Sequence, residues 1–271
     1  MQEDRPSVTP GRLLGTAVAI ADEADQLSMA AFRRDLRVER KPDLSLVTEI
    51  DRAIERMARE RLRMVFPGCA LVGEEEGADP GEADSPGITW YVDPIDATHN
   101  FVRGVPIFGT LLAAAVDGEI QVAVVSAPAI GGRWVARRGG GAWRVDGEEG
   151  LERMRVSAVP TVEESQLVYG SRTADMRSGE MPGLDRTLAE AWRERGFGDF
   201  WGYMLVAEGA AEGMIETGAH PWDWAAPSLI VEEAGGRFTT ARGERRIDGR
   251  SAVATNGLIH DDLLQRLGRS G

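Results

Sequence analysis

Hydrophobic residues recur at helical spacing over the first quarter of the chain. Between residues 11 and 35, apolar side chains three and four positions apart predict one amphipathic helix. A second helix is predicted to start at Thr48, because Asp51 three positions later forms a variant of the capping box. Its hydrophobic stripe consists of Ile54, Met57, Ala58, Leu62 and Val65. The pair Pro67-Gly68 then ends this helix, since neither residue favours helical backbone.

From residue 111 onward the apolar runs shorten and turn residues separate them. Asp117-Gly118 between two such runs predicts a β-hairpin, and further strands are predicted over 134–136 and 142–145. After residue 156, strand-like and helix-like segments alternate. The predicted strands cover 167–169, 214–216, 237–239 and 252–254, and the predicted helices cover 184–195, 203–208, 223–234 and 258–267. We therefore expect an antiparallel α+β half, 1–156, and an α/β half, 157–271, packed as one compact unit.

The composition narrows the class of function. The 271 residues carry a formal net charge of −13, and 42% of them are hydrophobic, which is enough for a substantial core. An acidic surface repels phosphate backbones and anionic lipids, so we expect neither a nucleic-acid polymer nor a membrane as partner. The single cysteine, Cys69, excludes an intramolecular disulfide. The N-terminus has no basic leader, so a cytoplasmic location is expected.

Acidic residues follow or open apolar segments at three places. The run 93–96 (Asp-Pro-Ile-Asp) lies where a predicted strand gives way to a turn, Glu74 follows another strand, and Asp223 opens a helix. Carboxylates and a backbone carbonyl such as that of Ile95 are hard ligands, which Mg²⁺ prefers. Each place also has an ordinary explanation: turn chemistry for 93–96, a solvated acidic loop for 74–76, and helix capping for Asp223.

Together these segments resemble the inositol monophosphatase family of metal-dependent phosphatases. The run 93–98 is similar to the family's strand-end pattern except that Ala97 replaces a glycine. Segments 222–225 and 233–236 match the closing pattern, Trp-Asp-x-Ala followed by Glu-Ala-Gly-Gly. The resemblance implies a layered αβαβα sandwich, hydrolysis of a small phosphate monoester, and two or three Mg²⁺ ions per active site. The implied metal ligands are Glu74, Asp93, the carbonyl of Ile95, Asp96 and Asp223.

The resemblance also implies how water and phosphate are handled. Glu74 and Thr98 are the expected catalytic residues that position the attacking water, and Asp51 from the second helix is expected to assist Thr98. Backbone N–H groups of Ala97 and Thr98 at a helix start are expected to bind the phosphate. Alanine suits this position if its φ stays negative, because it carries a Cβ where the family has glycine. Without the resemblance, Asp51 is a first-turn aspartate that the helix dipole favours.

Segments 192–209 and 254–264 resemble the histidinol-phosphate phosphatase branch of this superfamily. For a cationic amino alcohol phosphate, Asp199 and Glu216 are expected to hold the ammonium, and Arg195 to orient these acids. Phe200 and its neighbour Trp201 are expected to pack against an imidazole, with a place in the core as the alternative. The predicted substrate contacts also include Ala97, Thr98 and Asp223.

Other interpretations of the same sequence stay open. Rival substrates are inositol 1-phosphate and a sugar, aminocyclitol or nucleoside monophosphate, and the segment 216–223 resembles the inositol-type members. A catalytically silent regulatory member and a purely structural Mg²⁺- or Ca²⁺-binding module belong to other functional classes. A homodimer is the expected assembly.

Overall fold

Two β-sheets with helices between them form the frame of the molecule. The computed structural model describes residues 8–82, 87–146 and 150–269; the start of the chain, predicted to carry no leader, lies outside them. Within these ranges the helices are α1 (Pro10–Ala31), α2 (Glu49–Val65), α3 (Thr98–Val102), α4 (Arg172–Ser178), α5 (Leu184–Glu190), α6 (Asp199–Ala207), α7 (Pro221–Glu233) and α8 (His260–Leu267). None of these described helices has the length and hydropathy of a bilayer span.

The strands form a small hairpin and the two main sheets. They are β1 (Val38–Arg40), β2 (Leu46–Thr48), β3 (Ala70–Gly73), β4 (Gly77–Asp79), β5 (Ile88–Asp96), β6 (Gly109–Val116), β7 (Glu119–Ala127), β8 (Gly132–Arg137), β9 (Gly141–Asp146), β10 (Gly150–Arg153), β11 (Gln166–Tyr169), β12 (Arg193–Arg195), β13 (Gly213–Thr217), β14 (Arg237–Thr239) and β15 (Ser251–Thr255). β1 and β2 pair with each other. The first main sheet has the order β10-β9-β8-β7-β6-β5-β3-β4, and the second has the order β12-β11-β13-β15-β14.

The layers follow from the alternation of apolar side chains along the strands. α1 and α2 pack on one face of the first sheet, and α6 and α7 lie between its other face and the second sheet. In the second sheet, Val168 and Met214 face α6 and α7, whereas their neighbours Leu167 and Ile215 face α5 and α8. The resulting order of layers is the predicted αβαβα sandwich. The strands of the first main sheet precede residue 156 in the chain, and those of the second follow it. α7 nevertheless packs against strands of both sheets.

Most of the predicted elements are confirmed, but three helices differ by several residues from their predicted bounds. The helix predicted over 11–35 ends at Ala31, and the helix predicted over 203–208 starts earlier, at Asp199. Thr48 and Asp51 form the predicted capping box, and Asp117-Gly118 makes the predicted hairpin turn with positive φ at both residues. The helix predicted over 184–195 ends at Glu190. Residues 193–195 form β12 instead, because their backbone pairs in parallel with β11 at the edge of the second sheet. Tertiary pairing therefore overrides the local helical pattern at this point.

Candidate active site

A bulge in β5 brings Asp93 and Asp96 to the same side of the sheet. Residues three apart in a regular strand point to opposite faces. Here Asp93 lies opposite Leu111 and Asp96 opposite Gly109, so β5 contains one extra residue between the two aspartates. Pro94 is tolerated in this irregular segment, because a bulge residue can do without a ladder N–H. The strand therefore continues to Asp96, beyond the turn that the Asp-Pro pair predicts.

Glu74 and Asp223 reach the same region from two other elements. Glu74 directly follows β3, which runs parallel to β5, so both strands end at the same edge of the sheet. Asp223 is the third residue of α7, whose N-terminus carries a partial positive charge that favours a carboxylate. The N–H of His220 donates to Oδ2 of Asp223 at 2.6 Å and holds that side chain in place.

Three of the predicted metal ligands form a cluster. One carboxylate oxygen from each of Asp93, Asp96 and Asp223 lies within 4.8 Å of the other two. The hydrogen bonding of Asp93 is incomplete, because its Oδ1 atom is buried and no donor among the described residues reaches it. A buried carboxylate oxygen without a donor is costly in free energy, and a divalent cation would satisfy it. These residues therefore fit the metal site that the sequence predicts.

The cavity around the cluster is strongly acidic. Its volume is about 150 Å³, and Ile95 is among the residues that line it. Its carboxyl side chains are Glu74, Asp93, Asp96, Asp199, Glu216 and Asp223. None of the described residues that line it is a lysine or an arginine. A phosphate dianion would be repelled from such a surface unless bound cations reversed the local field.

Burial and mutual repulsion raise the pKa values of the clustered acids. Burial, followed by the charges of Glu74, Asp96 and Asp223, raises the pKa of Asp93 well above its usual range. Burial and the charges of Asp199 and Asp223 raise the pKa of Asp96 in the same way. Burial is also the main cause that raises the pKa of Asp223 to about 7. The folded chain therefore resists full ionisation of this cluster when no cation is bound.

Thr98 and Asp51 are hydrogen-bonded to each other. The hydroxyl of Thr98 lies 3.2 Å from Oδ1 of Asp51 and 2.9 Å from the carbonyl oxygen of Ile95. The N–H and the hydroxyl of Thr48 donate to Oδ2 of Asp51 at 2.9 and 2.5 Å, so the carboxylate cannot rotate away from Thr98. Burial raises the pKa of Asp51 to about 6. At neutral pH, Asp51 is therefore mostly ionised and can accept a proton from Thr98.

Ala97 adopts left-handed backbone, so the negative φ on which the fit of alanine was conditional is not found. Its φ is 63° and its ψ is 46°, and it directly precedes α3. A residue with a Cβ is strained in this region by about 1–2 kcal/mol, which explains why glycine suits the position. The alanine nevertheless takes the glycine-like conformation, so the N–H groups of Ala97 and Thr98 stay at the start of α3, beside the acidic cavity.

Glu75 is part of the site's surroundings and is not a solvated loop residue as predicted. Its side chain is 4% exposed and accepts a hydrogen bond from Lys41 at 2.6 Å. Lys41 also donates to Glu74 at 2.8 Å. Burial lowers the pKa of Lys41, but the bonds to Glu74 and Glu75 outweigh burial and raise it above its ordinary value. The signal that the sequence interpretation missed is that Lys41 is the single lysine of the chain.

A second, larger cavity of about 550 Å³ adjoins the acidic one and shares Asp199, Glu216 and Asp223 with it. Phe197 and Trp201 form one side of this cavity, with ring centroids 4.9 Å apart and the rings tilted by 46°. Asp199 faces the open space, yet the surrounding protein desolvates it enough to raise its pKa. This cavity is therefore lined by both carboxyl and aromatic side chains.

Glu216 is oriented by two aromatic side chains that the sequence interpretation missed. The hydroxyl of Tyr203 and the indole N–H of Trp224 donate to Oε2 of Glu216 at 2.8 and 3.1 Å. The other oxygen packs against Gly170, where a Cβ would come within 2.8 Å of Oε1. Burial raises the pKa of Glu216 to about 8. A nearby cation would oppose this shift, because it favours the ionised carboxylate.

The side chains of two predicted substrate-binding residues, Arg195 and Phe200, do not have the positions that the sequence predicts. Arg195 is exposed on the edge strand β12, its guanidinium donates to the carbonyl of Glu194, and it is not among the described residues that line either cavity. The ring of Phe200 is 1% exposed and packs near Trp134 in the core, because α6 presents that face to the first sheet. The N–H of Phe200 is the group that serves the site, since it donates to Oδ2 of Asp96 at 2.6 Å.

Comparison with known proteins gives one consistent family. A model of the inositol monophosphatase family matches residues 11–270. The chain is 45% identical to a histidinol-phosphatase of Mycobacterium tuberculosis over 253 residues, which is 93% of this chain and 96% of the relative. It is 40% identical to a histidinol-phosphatase of Streptomyces coelicolor over 256 residues, 93% of this chain and 95% of the relative.

Solved structures agree with the fold described above. The extragenic suppressor protein suhB from Bartonella henselae superposes with a TM-score of 0.86 and 28% sequence identity. The match covers 95% of this chain and 98% of that protein, so it includes both sheets and the helices between them.

The left-handed backbone of Ala97 can be tested by stability. We expect Ala97→Gly to raise the free energy of unfolding by about 0.5–1 kcal/mol, because glycine adopts a positive φ without a strained Cβ. Chemical denaturation monitored by circular dichroism measures this difference. Ala19→Gly, at an exposed position in the middle of α1, is the matched control and should lower stability by about the same amount. Equal destabilisation by both changes would contradict the assigned conformation of Ala97.

Proposed function

This chain belongs to the inositol monophosphatase family of phosphatases, and from that premise we propose that it hydrolyses histidinol phosphate to histidinol and phosphate with bound Mg²⁺. The observation that carries the proposal is the larger cavity, which is lined both by the carboxyl side chains of Asp199 and Glu216 and by the aromatic residues Phe197 and Trp201. Histidinol phosphate offers a cationic amine for the carboxylates and an imidazole for the rings. The names of the relatives at 45% and 40% identity support the same substrate.

The residues proposed to hold two or three Mg²⁺ ions are the four carboxylates Glu74, Asp93, Asp96 and Asp223 with the carbonyl of Ile95. Two observations support this ligand set: the buried Oδ1 of Asp93 has no donor among the described residues, and none of the described residues that line the cavity is a lysine or an arginine. When bound, divalent cations supply an acidified water and neutralise charge on the attacking and leaving oxygens. Lys41, which contacts Glu74, lies outside this proposed ligand set.

The proton path is proposed to run through Thr98 and Asp51. The hydroxyl of Thr98 can accept a proton from a water in the acidic cavity while it passes its own proton to Oδ1 of Asp51. Asp51 is suited to this step, because its pKa of about 6 lies near neutral pH and Thr48 fixes its other oxygen. Glu74, at the end of the neighbouring strand β3, is proposed to orient the same water.

The phosphate and the leaving group are proposed to occupy different cavities. N–H groups of Ala97 and Thr98 would donate to phosphate oxygens in the acidic cavity. The amino alcohol would extend past Asp223 into the larger cavity, which Glu216 and the exposed Asp199 line. In this arrangement Phe200 contributes through its contact with Asp96, and Arg195 has no part in binding.

A second candidate is a cyclitol or sugar phosphate, with inositol 1-phosphate as the simplest example. The specific observation in its favour is that Asp199 and Glu216 can accept hydrogen bonds from hydroxyl groups as well as from an ammonium group. Aminocyclitol and nucleoside monophosphates are further members of this class. A cytoplasmic location, a homodimer, and the lack of nucleic-acid or membrane partners stay predictions.

Metal dependence is the first test of the proposed reaction. We expect no phosphate release from histidinol phosphate in EDTA and full recovery on addition of Mg²⁺. Asp93→Asn should lower kcat by at least about 100-fold, since changes even to groups beyond the metal ligands cost 10–100-fold. Asp185→Asn, at an exposed aspartate on α5, is the matched control and should leave kcat unchanged. Activity that survives exhaustive chelation would refute the metal-dependent reaction.

Substrate selection is tested by comparing a charged ester with an uncharged one. Asp199→Asn and Glu216→Gln should each lower kcat/KM for histidinol phosphate by roughly one to two decades, which corresponds to about 1.5–3 kcal/mol for a hydrogen bond to a charged group. The same changes should affect inositol 1-phosphate less, because it carries no ammonium. Equal losses on both esters would favour the cyclitol candidate. Wild-type protein that prefers a generic aryl phosphate to histidinol phosphate would contradict the assigned substrate.

A further inference from the structure

One face of α2 reaches past Asp51 to the turn that carries Glu74. Asp51, Glu55 and Arg59 are spaced four residues apart, so they lie on the same face of the helix. Their exposed fractions are 0%, 0% and 3%. Glu55 and Arg59 have no role in the mechanism proposed above, and a fully buried ion pair beside a cluster of acids requires an explanation.

Glu55 and Arg59 hold the backbone on the C-terminal side of Glu74. Oε2 of Glu55 accepts a hydrogen bond from the N–H of Glu75 at 2.6 Å, and Oε1 accepts one from the N–H of Glu76 at 3.0 Å. Arg59 donates to Oε1 of Glu55 at 2.8 Å and also to the carbonyl oxygen of Gly77. Two N–H groups and one carbonyl group of this turn therefore have fixed partners on α2.

Gly73 shows how closely the carboxylate of Glu55 approaches this turn. A Cβ on Gly73 would lie 2.2 Å from Oε1 of Glu55 and 2.9 Å from the guanidinium of Arg59. No real Cβ could be accommodated there without displacing the ion pair. The glycine that ends β3 is thus required by the helix contact, immediately before Glu74 in the chain.

The ion pair between Glu55 and Arg59 is expected to fix the geometry of the turn after Glu74 more than to stabilise the fold. A buried ion pair contributes little net stability compared with apolar residues of the same size, because both charges lose their hydration. What it does supply is a set of directed hydrogen bonds at fixed distances. We propose that Glu55 and Arg59 are positioning residues, which hold Glu74 in register with Asp93 so that the acidic cavity binds divalent cations tightly.

This inference rests on the proposed metal-dependent function, and its test reads metal binding directly. Mn²⁺ binding to metal-free protein, measured by electron paramagnetic resonance, is compared for wild type and Glu55→Gln under conditions where both are folded. The amide replaces one acceptor oxygen with an NH₂ group, so the N–H of Glu75 or Glu76 loses its partner. We expect the Kd for Mn²⁺ to rise about 10–100-fold, the range for groups that orient metal ligands.

Arg59→Lys is the second variant, and it is used if Glu55→Gln does not fold. It keeps the charge beside Glu55 but loses the planar fork that also reaches Gly77, so Mn²⁺ binding should again weaken. The matched controls are Glu60→Gln and Arg56→Lys, both exposed on the same helix. Neither control should change the Kd for Mn²⁺ or the unfolding temperature.

The outcomes separate this inference from the proposed function. A variant that unfolds at a lower temperature yet binds Mn²⁺ as tightly as wild type would show a merely structural pair and overturn the inference. The proposed reaction would be untouched by that result. If wild-type protein binds no Mn²⁺, both the inference and the metal-dependent reaction are overturned.

Discussion

Repulsion among buried carboxylates is the constraint on which the rest of this structure depends. Three aspartates from a bulged strand and a helix start lie close enough to share one ion, and burial makes their ionisation costly. The fold offsets only part of this cost. Single N–H groups at the starts of α6 and α7 donate to Asp96 and Asp223, whereas Oδ1 of Asp93 has no donor among the described residues. The remaining charge is what a divalent cation would neutralise.

Helices and strands hold the carboxylates of the acidic cavity in place. The larger cavity, which is proposed to bind the leaving group, is lined mainly by other segments of the chain. β3, β5 and α7 meet at one edge of the first sheet, and α2 supports both Thr98 and the turn after Glu74. The larger cavity is lined mainly by segments of the second half, around Gly170, Phe197 and Glu216, together with Asn100, Val105 and Ile107 of the first half. Selectivity can therefore change through those segments without disturbing the carboxylate cluster.

Local sequence patterns predicted the site residues that lie at strand ends and helix starts. Asp93, Asp96 and Asp223 are found together for that reason, and the capping box placed Asp51. Contacts that depend on tertiary packing were not predictable in this way. The pairing of residues 193–195 with β11 carries Arg195 away from the cavities, and the face of α6 that meets the first sheet buries the ring of Phe200. Lys41 joins the site only through the β1–β2 hairpin, which has no strong sequence signal.

The most direct test is the gain in unfolding free energy that Mg²⁺ gives to wild-type protein at pH 5 and at pH 8. Because the pKa values of these acids are raised on folding, the folded state binds more protons than the unfolded chain, and metal-free stability falls as pH rises from the ordinary aspartate pKa towards about 7. Mg²⁺ needs the ionised carboxylates, so its stabilisation should be clearly larger at pH 8 than at pH 5. A gain that is absent, or equal at both pH values, would contradict a cation site built on these carboxylates.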